Sequence, residues 1–191
     1  MEKVTRGEVM PLADYETIRD RFRMRVYEEK KSRRVLLGDH VSAIFENHDT
    51  ALLQIQEMLR TERITNEKGI AHELETYNEL VPGDHELSAT LFIEIPELAR
   101  REEMLTRLCA IEEHVSIDVG GETCRATFEE GRRDKGRAAA VQYLKFPLTP
   151  KAIAGLREGK PSALVLDHDQ LKTRVELPKA TIASLVDDLT D

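Results

Sequence analysis

The spacing of apolar residues changes at Pro82, and this limits the folds open to the chain. Before Pro82 the spacing is helical. Tyr15, Ile18, Phe22 and Val26 share one face of a helix predicted over 13–33. A connector is expected over 36–48, then a second helix over 49–64 and a third over 67–81, stopped by the punctuation "VPGD" at 81–84. Beyond it the period is two: in "HELSATLFIEI" the residues Leu87, Ala89, Leu91, Ile93 and Ile95 point one way, as in a strand with one face on a core.

The rest of the chain continues in the second style. A helix opens near Pro96, a first-turn residue. Gly120 and Gly121 separate two alternating runs and suit a two-residue hairpin, which would set Ile117 opposite Cys124 and Val115 opposite Ala126. "AAAVQYLKFPL" reads as a strand, and "TPKAIAGLREG" as a short helix capped by Thr149. "SALVLDHD" and "KTRVELP" form a closing hairpin in which His168, Asp167 and Asp169 serve turn chemistry. A last helix carries Ile182, Leu185, Val186 and Leu189, a stripe for a core or a homo-oligomer contact, and the run at 129–137 reads as a mobile loop. The expected fold is α+β. About three N-terminal helices pack on a mainly antiparallel sheet with further flanking helices, in one domain spanning 1–191 (helical layer 1–82, sheet with helices 83–191).

Composition narrows the function. Of 191 residues, 40% are hydrophobic, enough to bury a core as one domain. No apolar run approaches the ~20 residues that cross a bilayer, and the N-terminus lacks the apolar core of a signal peptide, so a cytoplasmic protein with no membrane partner is expected. Cys109 and Cys124 form no CxxC pair and read as buried thiols. P-loop, dinucleotide and serine-hydrolase motifs are all missing.

The charge is uneven. Arg19 to Arg34 holds eight basic residues against three acidic ones, a net of +5 that leaves −13 for the rest of a chain totalling −8. Arg19, Arg23 and Lys30 share a narrow stripe of the first helix and are the candidate partner-binding cations, either for an acidic surface or for neutralising the chain's own acidic helices. The other cations are scattered around the axis, a poor footprint for nucleic acid, which leaves a nucleic-acid-binding regulator as the weakest reading.

The second helix poses a chemical question. At about 100° per residue, Ala51, Leu52, Ile55, Met58 and Leu59 fall within ~120° of arc, and Glu62 falls inside that arc. A lone buried carboxylate costs on the order of several kcal/mol. It therefore needs a cation, a metal or a proton. Arg25 and Glu29 of the first helix suggest an internal polar network with Glu62. The alternative is a metal site for iron, manganese or zinc, with Glu46, His48, Glu57 and Glu62 as ligands, in a redox enzyme. His72, Glu75 and Glu79 have di-iron-like spacing but sit on the polar face of the third helix, and a bundle site needs a second such motif. Asn78 reads as a polar core or capping group.

The segments "KKSRRVLLG", "FENHDT", "QIQEMLRTERI", "YNELVPG" and "ELSATLFIEI" resemble an uncharacterised bacterial family, domain of unknown function 3501. The resemblance covers the first 148 residues well and the tail loosely. It implies no activity or catalytic residue. It does imply a context, because genes of that family are often met beside those for rubrerythrin and an iron–sulfur protein similar to heterodisulfide reductase subunits. The implied role is accessory to a redox chain in peroxide or oxygen defence, through partner binding. An acidic surface on rubrerythrin or the iron–sulfur protein would meet the basic first helix.

Overall fold

The structure, a computed structural model, describes residues 1–128 and 136–189, so most of the charged run at 129–137 lies outside the described residues. Helix α1 spans Leu12–Arg33, α2 His48–Thr61 and α3 Glu67–Tyr77, with a 3-10 turn over Asn78–Leu80. Three further helices follow: α4 (Leu98–Arg107), α5 (Pro150–Arg157) and α6 (Lys179–Asp188). The architecture is α+β.

The region read as a connector is a hairpin instead. Strands β1 (Arg34–Leu36) and β2 (Val41–Glu46) lie between α1 and α2, so residues 1–82 are not helical throughout. The reason is burial. All six residues of β2 are inside, so the strand lacks the alternation that marks a half-buried one, and β1 is only three residues long. The remaining strands are β3 (Glu86–Ile93), β4 (Val115–Val119), β5 (Glu122–Arg125), β6 (Thr127–Phe128), β7 (Val141–Pro147), β8 (Ser162–His168) and β9 (Leu171–Glu176).

They form two antiparallel sheets rather than one. The first runs β1-β2-β3-β7-β6 and the second β5-β4-β8-β9. One apolar core joins them. It takes Phe45, Leu87, Ala89 and Leu91 from the first sheet, Val115, Ile117 and Leu164 from the second, and Leu105, Leu156 and Leu185 from helices. A smaller cluster links α2 (Ala51, Ile55, Leu59), α3 (Ile70) and the N-terminal Val4 and Val9, with Tyr143 of β7 packed against it. The first sheet is thereby covered on its other face as well, where Ser88 and Thr90 are also buried.

Local chemistry follows the residue types. Gly120 and Gly121, with φ of 57° and 86°, make the tight turn, and Ile117 pairs with Cys124 as the glycine positions predict. The Ala126 N–H donates to the Val115 carbonyl at 2.9 Å. The Thr149 hydroxyl caps α5 by accepting from the Ala152 N–H. Asn78 exchanges two hydrogen bonds with the Val4 backbone. His168 is the last residue of β8, buried, with Asp169 and Gln170 left as the turn. Its Nδ1 accepts from the Gln170 N–H, which directs Nε2–H to the Cys109 carbonyl.

Helix α2 stops at Thr61, a turn before its apolar pattern runs out. Arg63 takes φ of 55°, and the Ile64 N–H donates to the Leu59 carbonyl while that of Arg63 donates to Arg60. This is the left-handed helix ending that normally uses glycine. Replacing Arg63 by Gly should raise stability by up to about 1 kcal/mol, through relief of that conformation. Gly155→Ala should act the other way despite its better helix propensity. The new methyl would lie 2.9 Å from Val119 Cγ1, and overpacking of this kind costs about 1–3 kcal/mol. Urea midpoints at unchanged slope would report both.

Candidate functional site

The chain passes from helix to strand between Arg33 and Arg34, and the candidate site is built at that step. Tyr15, Val26 and Arg33 are the buried residues of α1, a stripe that places a guanidinium where an apolar side chain would be expected. Strand β1 pairs with β2 only from Arg34, opposite Ile44. The carbonyls of Phe45 and Glu46 run past the end of β1, and Arg33 takes them: Nε donates to Phe45 at 2.9 Å and Nη2 to Glu46 at 3.4 Å. Nη1 donates to the Ser184 carbonyl and hydroxyl of α6, and Nη2 also donates to the Asp188 carboxylate. Arg33 and Asp188 are 1% and 3% exposed, so this is a fully buried ion pair.

Further polar groups surround the pair. Glu46 Oε1 accepts from the Thr90 hydroxyl at 2.6 Å, while Oε2 makes no hydrogen bond and faces Lys30 Nζ at 4.0 Å. Asn47 caps α2, exchanging bonds with Thr50, and its amide donates to the Glu29 carboxylate. Burial pushes the Asp188 carboxyl up to about 7. Arg33 opposes that rise, whereas Glu29 and Asp187 add to it. The cluster therefore holds Glu29, Glu46 and Asp188 against Lys30 and Arg33.

A second polar seam joins α1 to α2. Tyr15 donates its hydroxyl proton to Glu57 at 2.7 Å, and Arg19 grips the same carboxylate with Nε and Nη2, both at 2.8 Å. Arg23 Nε lies 3.8 Å from it. The Arg19 hydrogen bonds hold the Glu57 carboxyl below its usual range, with burial opposing. Burial and the Glu57 contact both raise the Tyr15 hydroxyl.

The predicted site residues are thus distributed differently from expectation. Glu62 is exposed at the end of α2 and joins no buried network, because the helix turns away at Arg63. Arg25 pairs with Asp49 at 2.6 Å, and only Glu29 of the expected trio enters the buried cluster. The four proposed metal ligands are not brought together. Glu46 binds Thr90, His48 lies 3.0 Å from Glu8, Glu57 is taken by Tyr15 and Arg19, and Glu62 faces solvent. Among the described residues no group of three or more His, Cys, Asp or Glu side chains could hold a metal ion. His72, Glu75 and Glu79 are exposed, as the helical wheel predicts.

Glu29, Lys30 and Glu46 came from three different predicted sets and meet in one place. Arg33 and Asp188 were missed. Their signals were present: Arg33 lies seven residues beyond Val26 on the α1 stripe, and Asp188 adjoins the Leu185 and Leu189 positions of α6.

The family model described as "Protein of unknown function (DUF3501)" matches residues 3–189. The chain belongs to this family. A crystal structure of a novel protein of unknown function from Burkholderia pseudomallei K96243 superposes with a TM-score of 0.94 at 34% identity, covering 99% of this DUF3501 chain and 100% of its own. No curated protein matches. No helix among the described residues is long and apolar enough to cross a membrane.

Two variants test the energetics of the site. Arg33→Met should cost about 3–5 kcal/mol, since Asp188 and the β2 carbonyls lose their partner, and adding Asp188→Leu should recover much of that loss in denaturant melts. Because the Glu57 carboxyl titrates lower in the folded state, its contribution is complete above about pH 5 and is lost as pH falls through the folded value. Glu57→Gln should accordingly flatten the acid limb of the stability profile below about pH 4.5.

Proposed function

We propose that this chain is a non-catalytic accessory protein of a redox or oxidative-stress system, acting by docking on rubrerythrin or an iron–sulfur protein. The observation that carries the reading is the outer face of α1. Met24 and Tyr27, one turn apart, are 68% and 48% exposed, within the segment of net +5. Methionine, tyrosine and arginine are the side chains that protein interfaces favour. Arg23 stacks over the Tyr27 ring at 5.2 Å and donates to its hydroxyl, which fixes the ring in place.

Arg19, Arg23 and Lys30 form the inner margin of this face, with side-chain exposures of 19%, 29% and 24%. Arg19 and Lys30 face Glu57 and Glu46 of the chain itself, so in this reading they add positive field while Met24, Tyr27 and the exposed Arg21 supply the contact. A basic face steers an acidic partner, and that attraction falls as salt screens it. The redox assignment rests on the gene context that the family resemblance implies.

The test is affinity measurement against purified rubrerythrin and the iron–sulfur protein at low and high salt. Binding that weakens with salt, and weakens a further tenfold or more in Met24→Glu or Tyr27→Ala, is expected. Binding absent to both proteins at low salt would sink the reading, as would binding indifferent to salt and to both variants.

A further inference from the structure

We propose that the Arg33–Asp188 junction is a pH-responsive latch for the C-terminal helix, in which α6 is held on α1 by a proton kept inside a buried cluster whose carboxylates outnumber its cations. The count is set by three elements. Helix α1 contributes Glu29, Lys30 and Arg33, the end of β2 contributes Glu46, and α6 contributes Asp188, with Asp187 exposed at the rim. From α5, Arg157 reaches α6 at the Leu189 carbonyl, 3.4 Å away. Three carboxylates facing two cations leave one negative charge in excess, with Glu46, Arg33 and Asp188 buried and Glu29 and Lys30 half-buried at the margin. The Glu46 oxygen that lacks a hydrogen bond shows the same shortage of donors.

The polar hold of α1 on α6 runs mostly through one side chain, and Asn47 adds a hydrogen bond to Asp188. Arg33 binds both Ser184 and Asp188, and a second polar link between the two helices is the Thr181 hydroxyl donating to the Ser32 carbonyl at 2.6 Å. Helix α6 is a single 10-residue element that also buries Ile182, Leu185 and Leu189, and its opening is a local event of the kind amide exchange resolves from global unfolding. When it opens, Asp188 enters water and titrates near an ordinary carboxyl value of about 4.

The direction follows from linkage. The closed form keeps a proton that the open form releases, and burial places the closed-state Asp188 value at about 7. Between about pH 4 and about pH 7 the opening equilibrium should therefore rise by up to tenfold per pH unit, and above about pH 7 it should level off. The carboxyls of Glu8, Glu57, Glu67, Glu94, Glu122 and Asp167 are all held low, so they act at more acid pH and in the opposite sense.

Amide hydrogen exchange from pH 5 to 8, corrected for intrinsic rates, reads the latch directly. Protection over 179–189 should fall roughly 10- to 100-fold between pH 5 and 7 and then hold level, while the rest of the core stays protected. Asp188→Asn should abolish the fall. Glu46→Gln, which leaves every bond to α6 in place and removes the surplus charge, should move the fall to lower pH. A wild-type profile flat over this range would overturn the proposal. So would a fall shared by the whole core, or one unchanged in both variants.

Discussion

Arg33 is the side chain on which the two halves of the molecule depend. It ends the first helix, replaces the ladder partners that β2 lacks beyond Ile44, and binds the last helix through Ser184 and Asp188. A guanidinium suits all three tasks, because its five N–H groups fan out in one plane and here five acceptors receive them. Its place at the C-terminus of α1 also opposes the partial negative charge of that helix end. The position is costly to desolvate, and the cost is offset only while every acceptor is present.

Around this anchor, most cations of the basic segment are paired with acidic groups of the chain itself. Arg19 and Arg23 face Glu57, Arg25 faces Asp49, Lys30 faces Glu46, and Arg34 bonds Glu94 and Ser42. The long first helix therefore packs through a thin apolar stripe reinforced by ion pairs. A helix with so few apolar residues would not pack firmly by hydrophobic burial alone. The partly buried pairs constrain which of its faces turns inward.

Much of this was legible in the sequence, and the failures have physical causes. The bounds of α1, the glycine hairpin with Ile117 opposite Cys124 and the Thr149 cap all follow from local signals that act within a few residues. Strand β2 did not show itself, because a strand covered on both faces has no alternation to read. Glu62 misled for a different reason: the wheel assumes a helix that continues, and the turn at Arg63 ended it. The buried cluster escaped because its parts lie far apart in the chain, and only the crossing of α1, β2 and α6 brings residues 29–33, 46–47 and 184–188 together.

The short β1 has a consequence for how the protein behaves at high concentration. A sheet edge with free carbonyls and N–H groups invites strands from neighbouring molecules, and natural proteins blunt such edges. Here the chain is still helical where β1 would have continued along β2, and a side chain occupies the carbonyls left over at Phe45 and Glu46. The remaining edge on that side is three residues long and begins with the charged Arg34. The arginine that locks the interior thus also denies the sheet a docking template for aggregation.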